Sequence, residues 1–86
     1  MKHMHIKQKI YNSIAIFDPA EEGGFNVSFP AFPGCFTFGH TFEEAKEHAR
    51  EVLALWLEEL AERNEEIPMK KSRPIIDEIE VSLPVR

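Results

Sequence analysis

The sequence predicts an α+β domain: a three-stranded antiparallel meander, one long helix packed on it, then a fourth strand, in the order β-β-β-α-β. Three observations carry this prediction. Apolar residues alternate with period two over residues 6–17, 25–29 and 79–83, as half-buried strands require. A broad apolar stripe at helical spacing runs from Phe42 to Leu60. The breakers around Pro19, Pro30 and Gly39 leave connections too short for a crossover helix, so the first three strands must be antiparallel neighbours.

The first strand is expected over residues 6–17, where Ile6, Ile10, Ile14 and Ile16 share one parity. Asp18-Pro19-Ala20-Glu21-Glu22-Gly23-Gly24 follows as a hairpin connection rich in breakers. Phe25, Val27 and Phe29 alternate with Asn26 and Ser28 in a second strand with one buried face. Pro30 and Pro33 each remove a backbone donor, so the pair marks an ordered turn, and Gly34 permits a positive φ within it. A third strand is expected from Cys35 to Phe38, passing through Phe36 and Thr37 and ended by Gly39.

Thr41, with Glu44 three residues on, forms the capping-box pattern that starts a helix. That helix should run to about Arg63, with Ala45, Ala49, Val52, Leu53, Trp56 and Leu57 in its stripe. Ordering its backbone costs about 1–2 kcal/mol per residue. Burying each large apolar side chain returns roughly 1.5–3 kcal/mol, so the stripe must lie against the sheet. Leu55 falls off the stripe among glutamates, either as an isolated surface leucine or as a subunit or partner contact. Residues 64–74 should return as a loop, and Ile79, Val81 and Leu83 should form the last strand, stopped by Pro84.

A length of 86 residues predicts one domain, residues 1–86, since two independent cores would each be too small. The 43% hydrophobic content argues against disorder. No apolar run approaches the roughly 20 residues that span a membrane, and the N-terminus lacks the apolar region of a signal peptide. A cytoplasmic protein is therefore expected, and a lone Cys35, unable to form an internal disulfide, agrees with a reducing compartment. The net charge of −5 disfavours non-specific nucleic-acid binding and suits a basic partner.

Candidate chemistry is sparse. A nucleophilic Cys35 with His40 or His48 as base needs a lowered thiol pKa, whereas a small buried thiol suits the start of a strand. His3 and His5 could present two metal ligands, but structural zinc usually takes four Cys or His at tight spacings. The pairs Glu43-Glu44, Glu58-Glu59 and Glu65-Glu66 fit solvation and capping. Lys70-Lys71-x-Arg73 offers three charges in an acidic context with no interleaved aromatic, which fits a solvated loop. No catalytic residue, metal or cofactor is expected.

The stretch Phe29-Pro30-Ala31-Phe32-Pro33-Gly34-Cys35-Phe36-Thr37-Phe38-Gly39-His40-Thr41-Phe42-Glu43-Glu44-Ala45 resembles the signature of the HicB-like antitoxin family. Phe29, Pro30, Pro33, Gly34, Cys35, Thr37, Gly39, Thr41 and Glu44 match it as a structural turn and helix cap. Gly24, Ala49, Trp56 and Leu57 extend the likeness, with Tyr11 and Pro68 at its margins. Ala31 and His40 stand where the family commonly has Asp, which removes two negative charges from the turn. The resemblance implies a shortened ribonuclease-H-like fold without the acidic catalytic set. It also implies a protein that binds and covers a small basic mRNA-cleaving toxin of the HicA type. Many members also repress their own operon through an added DNA-binding domain. The chain ends three residues after Leu83, so no direct DNA binding is expected.

Two other functions compete with the antitoxin: an orphan oligomeric binding module, and a remnant metal-dependent nuclease. The nuclease needs several carboxylates converging on divalent metal, and the expected strands offer almost none. A homodimer or tetramer is expected, because one helix cannot hide the aromatics of both sheet faces. Phe36, Phe38 and Leu55 are the candidate oligomer or partner contacts.

Overall fold

Pro30 limits the sheet. With no N–H to donate, it ends the second strand and fixes how much ladder its neighbours can build. A computed structural model of the chain describes residues 9–68 and 73–86. It contains β1 (Ile16–Pro19), β2 (Phe25–Ser28), β3 (Phe36–Gly39) and α1 (Phe42–Glu62), in that order. The sheet order is β1-β2-β3. Both pairings are antiparallel, with Ile16 opposite Ser28 and Pro19 opposite Phe25, and with Phe25 opposite Gly39 and Ser28 opposite Phe36.

The three-strand meander and its helix are α+β, but the element bounds differ from expectation in instructive ways. β2 offers four positions, so β1 pairs over four residues instead of the twelve expected over 6–17. Residues 11–15 precede the ladder, and residues 6–8 lie outside those described. Asp18 and Pro19, expected in the connection, close β1 instead; Pro19 is tolerated because β1 is an edge strand. β3 begins at Phe36 and includes Gly39, one residue later at each end than expected. Residues 73–86 form neither helix nor strand, so the fourth strand expected over 79–83 has no ladder partner among the described residues.

Alternation decides which side chains meet the helix. The rows Phe17–Val27–Thr37 and Pro19–Phe25–Gly39 share one face. The core joins that face to α1: Val27, Phe29, Phe32, Cys35, Ala45 and Ala49 are all buried. Phe17 and Phe25 stack edge-on against Phe42 at centroid distances of 5.0 and 5.9 Å. Val52, Leu53, Trp56, Leu57 and Leu60 pack against this cluster half-buried, as the stripe predicts. In β1 the core-facing parity is that of Ala15 and Phe17, not the isoleucine parity.

Close approach at Gly39 seats the helix. A Cβ there would overlap the Ala45 backbone and lie 2.8 Å from the Ala45 Cβ, so only glycine lets α1 settle onto β3.

Both helix ends are capped. The Thr41 hydroxyl accepts from the Glu44 N–H at 3.1 Å. At the other end Asn64 adopts φ 56°, and Glu65 N–H donates to Leu60 O at 2.9 Å while Asn64 N–H donates to Ala61 O at 3.1 Å. This is a Schellman turn with asparagine in the left-handed position, and it stops α1 at Glu62, with Arg63 as the cap instead of the last helical residue.

Candidate functional site

The turn between β2 and β3 is built from its own backbone. Phe32 N–H donates to Phe29 O at 2.9 Å, and Cys35 N–H donates to Phe32 O at 3.0 Å. Two successive tight turns thus carry the chain across the sheet end while Pro30 and Pro33 stand exposed. Gly34 takes φ +94°, a region that side chains with a Cβ resist, and the Trp56 ring lies beside it. Phe32, absent from the sequence-based core, is only 6% exposed. Its signal was an aromatic held between two prolines, a place where period-based patterns give no information.

Cys35 sits at the base of this turn, 2% exposed, and burial pushes its thiol up from the ordinary value. That is the reverse of the lowered pKa a nucleophile needs. Thr37 is half-buried on the helix-facing side, and Gly39 is buried beneath Ala45. The signature residues from Phe29 to Glu44 therefore form one continuous structure, the turn, β3 and the helix cap.

The face of the sheet away from α1 is uncovered. Its rows are Ile16–Ser28–Phe36 and Asp18–Asn26–Phe38. Phe36 is 69% exposed, and Phe38 rests edge-on against the His40 ring at 5.1 Å. Asp18 is the sole carboxylate within the three strands. Among the described residues, no group of three or more His, Cys, Asp and Glu side chains is placed to hold a metal. His3, His5, Lys70 and Lys71 lie outside the described residues.

His48 bridges helix and sheet. Its Nδ1–H donates to the Phe38 carbonyl at 2.6 Å. That bond raises the imidazole pKa above its ordinary value; partial desolvation opposes the rise, and Glu44, Glu51 and Glu47 reinforce it. The solvent face of α1 is strongly acidic: Glu43, Glu47, Glu51, Glu58, Glu59 and Glu62 are exposed, joined by Arg50 in a pair with Glu47 at 3.5 Å. Leu55 lies within this face, 66% exposed, whereas Phe36 and Phe38 lie on the sheet face away from α1. Leu55 therefore shares no patch with the two phenylalanines.

No helix among the described residues is long and apolar enough to cross a membrane. These surfaces suit binding: a sheet face that bears Ile16, Phe36 and Phe38, an acidic helix face, and a hydrogen-bonded turn.

The family model for the HicB-like antitoxin of bacterial toxin-antitoxin systems matches residues 12–82. A UPF0150 protein of Thermoplasma acidophilum is 40% identical over 55 residues, covering 64% of this chain and 80% of that protein. A UPF0150 protein of Synechocystis is 31% identical over 61 residues, covering 71% of this chain and 77% of its own length. Antitoxin HicB 1 of Photorhabdus laumondii is 48% identical over 52 residues, which cover 60% of this chain but 34% of that antitoxin. The likeness to the longer antitoxin thus concerns about a third of its length.

Proposed function

We propose that this chain, which belongs to the HicB-like antitoxin family of bacterial toxin-antitoxin systems, binds and neutralises a small basic HicA-type mRNA-cleaving toxin without catalysing a reaction. The family match over residues 12–82 carries this reading. The net charge of −5 and the acidic outer face of α1 support it, since a toxin that grips RNA presents complementary positive charge.

The finer parts of the proposal follow the same kinship. The segment 79–83 serves as a fourth strand that completes a shortened ribonuclease-H-like sheet. The chain self-associates as a homodimer or tetramer through the uncovered face that bears Phe36 and Phe38, with Leu55 as a secondary contact. The Phe29–Glu44 turn and cap hold these surfaces in place and touch no substrate. The site of action is the cytoplasm.

The test is co-expression with a small basic protein encoded beside this chain. Relief of that protein's growth arrest and recovery of a stable complex are the expected results. Persistent arrest, with no complex at micromolar concentrations of both proteins, would overturn the antitoxin assignment. Glu58→Lys with Glu62→Lys should weaken the complex and flatten its salt dependence while leaving the melting temperature unchanged, because both side chains are exposed.

A further inference from the structure

We infer that two copies of this chain exchange residues 75–85, each copy's segment lying as an outer strand beside residues 12–19 of the other. The inference rests on the fourth strand proposed above, and it assigns self-association to the sheet edge in place of the Phe36 and Phe38 face.

The donor is a strand in pattern without a ladder. Ile79, Val81, Leu83 and Val85 alternate with Glu78, Glu80, Ser82 and Pro84. Together with Ile75 and Ile76 these apolar side chains stand 79–94% exposed. Exposed apolar residues scattered singly are ordinary, but six within eleven positions mark a surface that another molecule covers.

The acceptor lies on the same chain. β1 is an edge strand, so one side of its backbone is open to pairing. Upstream of it Tyr11, Ser13 and Ile14 are half-buried, yet residues 11–14 make no backbone–backbone hydrogen bond to any described residue. Their backbone N–H and C=O groups are thus open to the ladder that an added strand would form. A groove of about 810 Å³ runs alongside, lined by Ile10, Tyr11, Ile14, Phe32, Leu57 and Ile67 among others. It offers the alternating apolar side chains a matching floor.

The course of the chain favours exchange over folding back. Arg73 and Pro74 line the rim of this groove, and from there the segment leaves the body. The molecule measures 79 × 29 × 20 Å, with a radius of gyration of 18.0 Å against about 12 Å for a compact chain of this length. Beyond the rim the apolar side chains from Ile75 to Val85 stay exposed instead of entering the chain's own groove. Eleven extended residues reach about 36 Å, enough to cross to a second copy. Each chain carries one donor and one acceptor, so a two-fold exchange closes on itself.

The test mixes ¹⁵N-labelled and ¹³C-labelled full-length chain, refolded together, and records isotope-filtered NOEs. Contacts between chains from the methyls of Ile79, Val81 and Leu83 to residues 12–19 are expected. Val81→Glu with Leu83→Glu should then halve the mass by light scattering with the far-UV spectrum retained. Contacts found only within one chain would overturn the exchange but keep the fourth strand. A dimer whose residues 75–85 make no contacts would overturn it in favour of self-association through the Phe36 and Phe38 face. A monomer with an unpaired segment would overturn both the exchange and self-association.

Discussion

Residues 25–29 and 79–83 carry the same apolar alternation, Phe-Val-Phe in one and Ile-Val-Leu in the other, yet only the first holds a strand, β2 over Phe25–Ser28. Val27 is 1% exposed and Val81 is 80% exposed. The difference lies in the neighbours. β2 has a strand on each side and the helix stripe above it, whereas residues 73–86 have no ladder partner among those described. Alternation specifies which face a strand would bury; a partner decides whether the strand exists.

The largest effect that can break the comparison is at the seat of the helix. Gly39→Val drives a side chain into the Ala45 backbone, and it should cost about 3 kcal/mol and lift α1 off the sheet. Thermal unfolding followed by circular dichroism reads this, and an unchanged melting temperature would mean that the helix packs elsewhere.

Truncating the two central valines sharpens the contrast. Val27→Ala leaves a gap in a closed core and should cost about 2 kcal/mol at every protein concentration. Val81→Ala should leave the dilute protein within about 0.5 kcal/mol of the parent. Its effect should grow only where the segment is paired, so melting temperatures measured across a hundredfold range of concentration separate the two.

Gly34→Val comes next. A Cβ would sit in ordinary contact with the Trp56 ring at 3.5 Å, so φ +94° is the main cost, which should be about 1–2 kcal/mol. Toxin neutralisation by the folded fraction should be unimpaired. A loss of binding at full folding would assign the turn a direct role.

The smallest effect is the pH dependence of His48. Its folded pKa is raised, so protonation favours the native state; that stabilisation is complete below the unfolded value, about 6.5, and fades as pH rises through the folded value. Only part is lost, because the neutral ring still donates Nδ1–H to Phe38 O. The melting temperature should fall slightly as pH rises across this window, and His48→Gln should remove that slope.

The helix was the most legible element in the sequence, because its signals are local. Thr41 caps the start as expected, while the end falls one residue early because Asn64 takes the left-handed turn. β1 departs from its sequence pattern for a non-local reason: the isoleucine alternation continues upstream, but the ladder can be no longer than β2, which Pro30 ends. Phe32 is illegible in the sequence because a turn between prolines has no periodicity to read, although its ring joins the core. Of the candidate contacts, Phe36 and Phe38 were identifiable as surplus aromatics, and strand parity places both on the uncovered face. Leu55 was legible from helical angle alone.

The central claim, that residues 79–83 form a strand only when a partner supplies one, is tested most directly by amide hydrogen exchange on the full chain at low and high concentration. Protection at Ile79, Val81 and Leu83 should rise with concentration while that of Val27 stays constant once folding is complete. Protection at 79–83 that is independent of concentration, or absent at every concentration, would contradict the account.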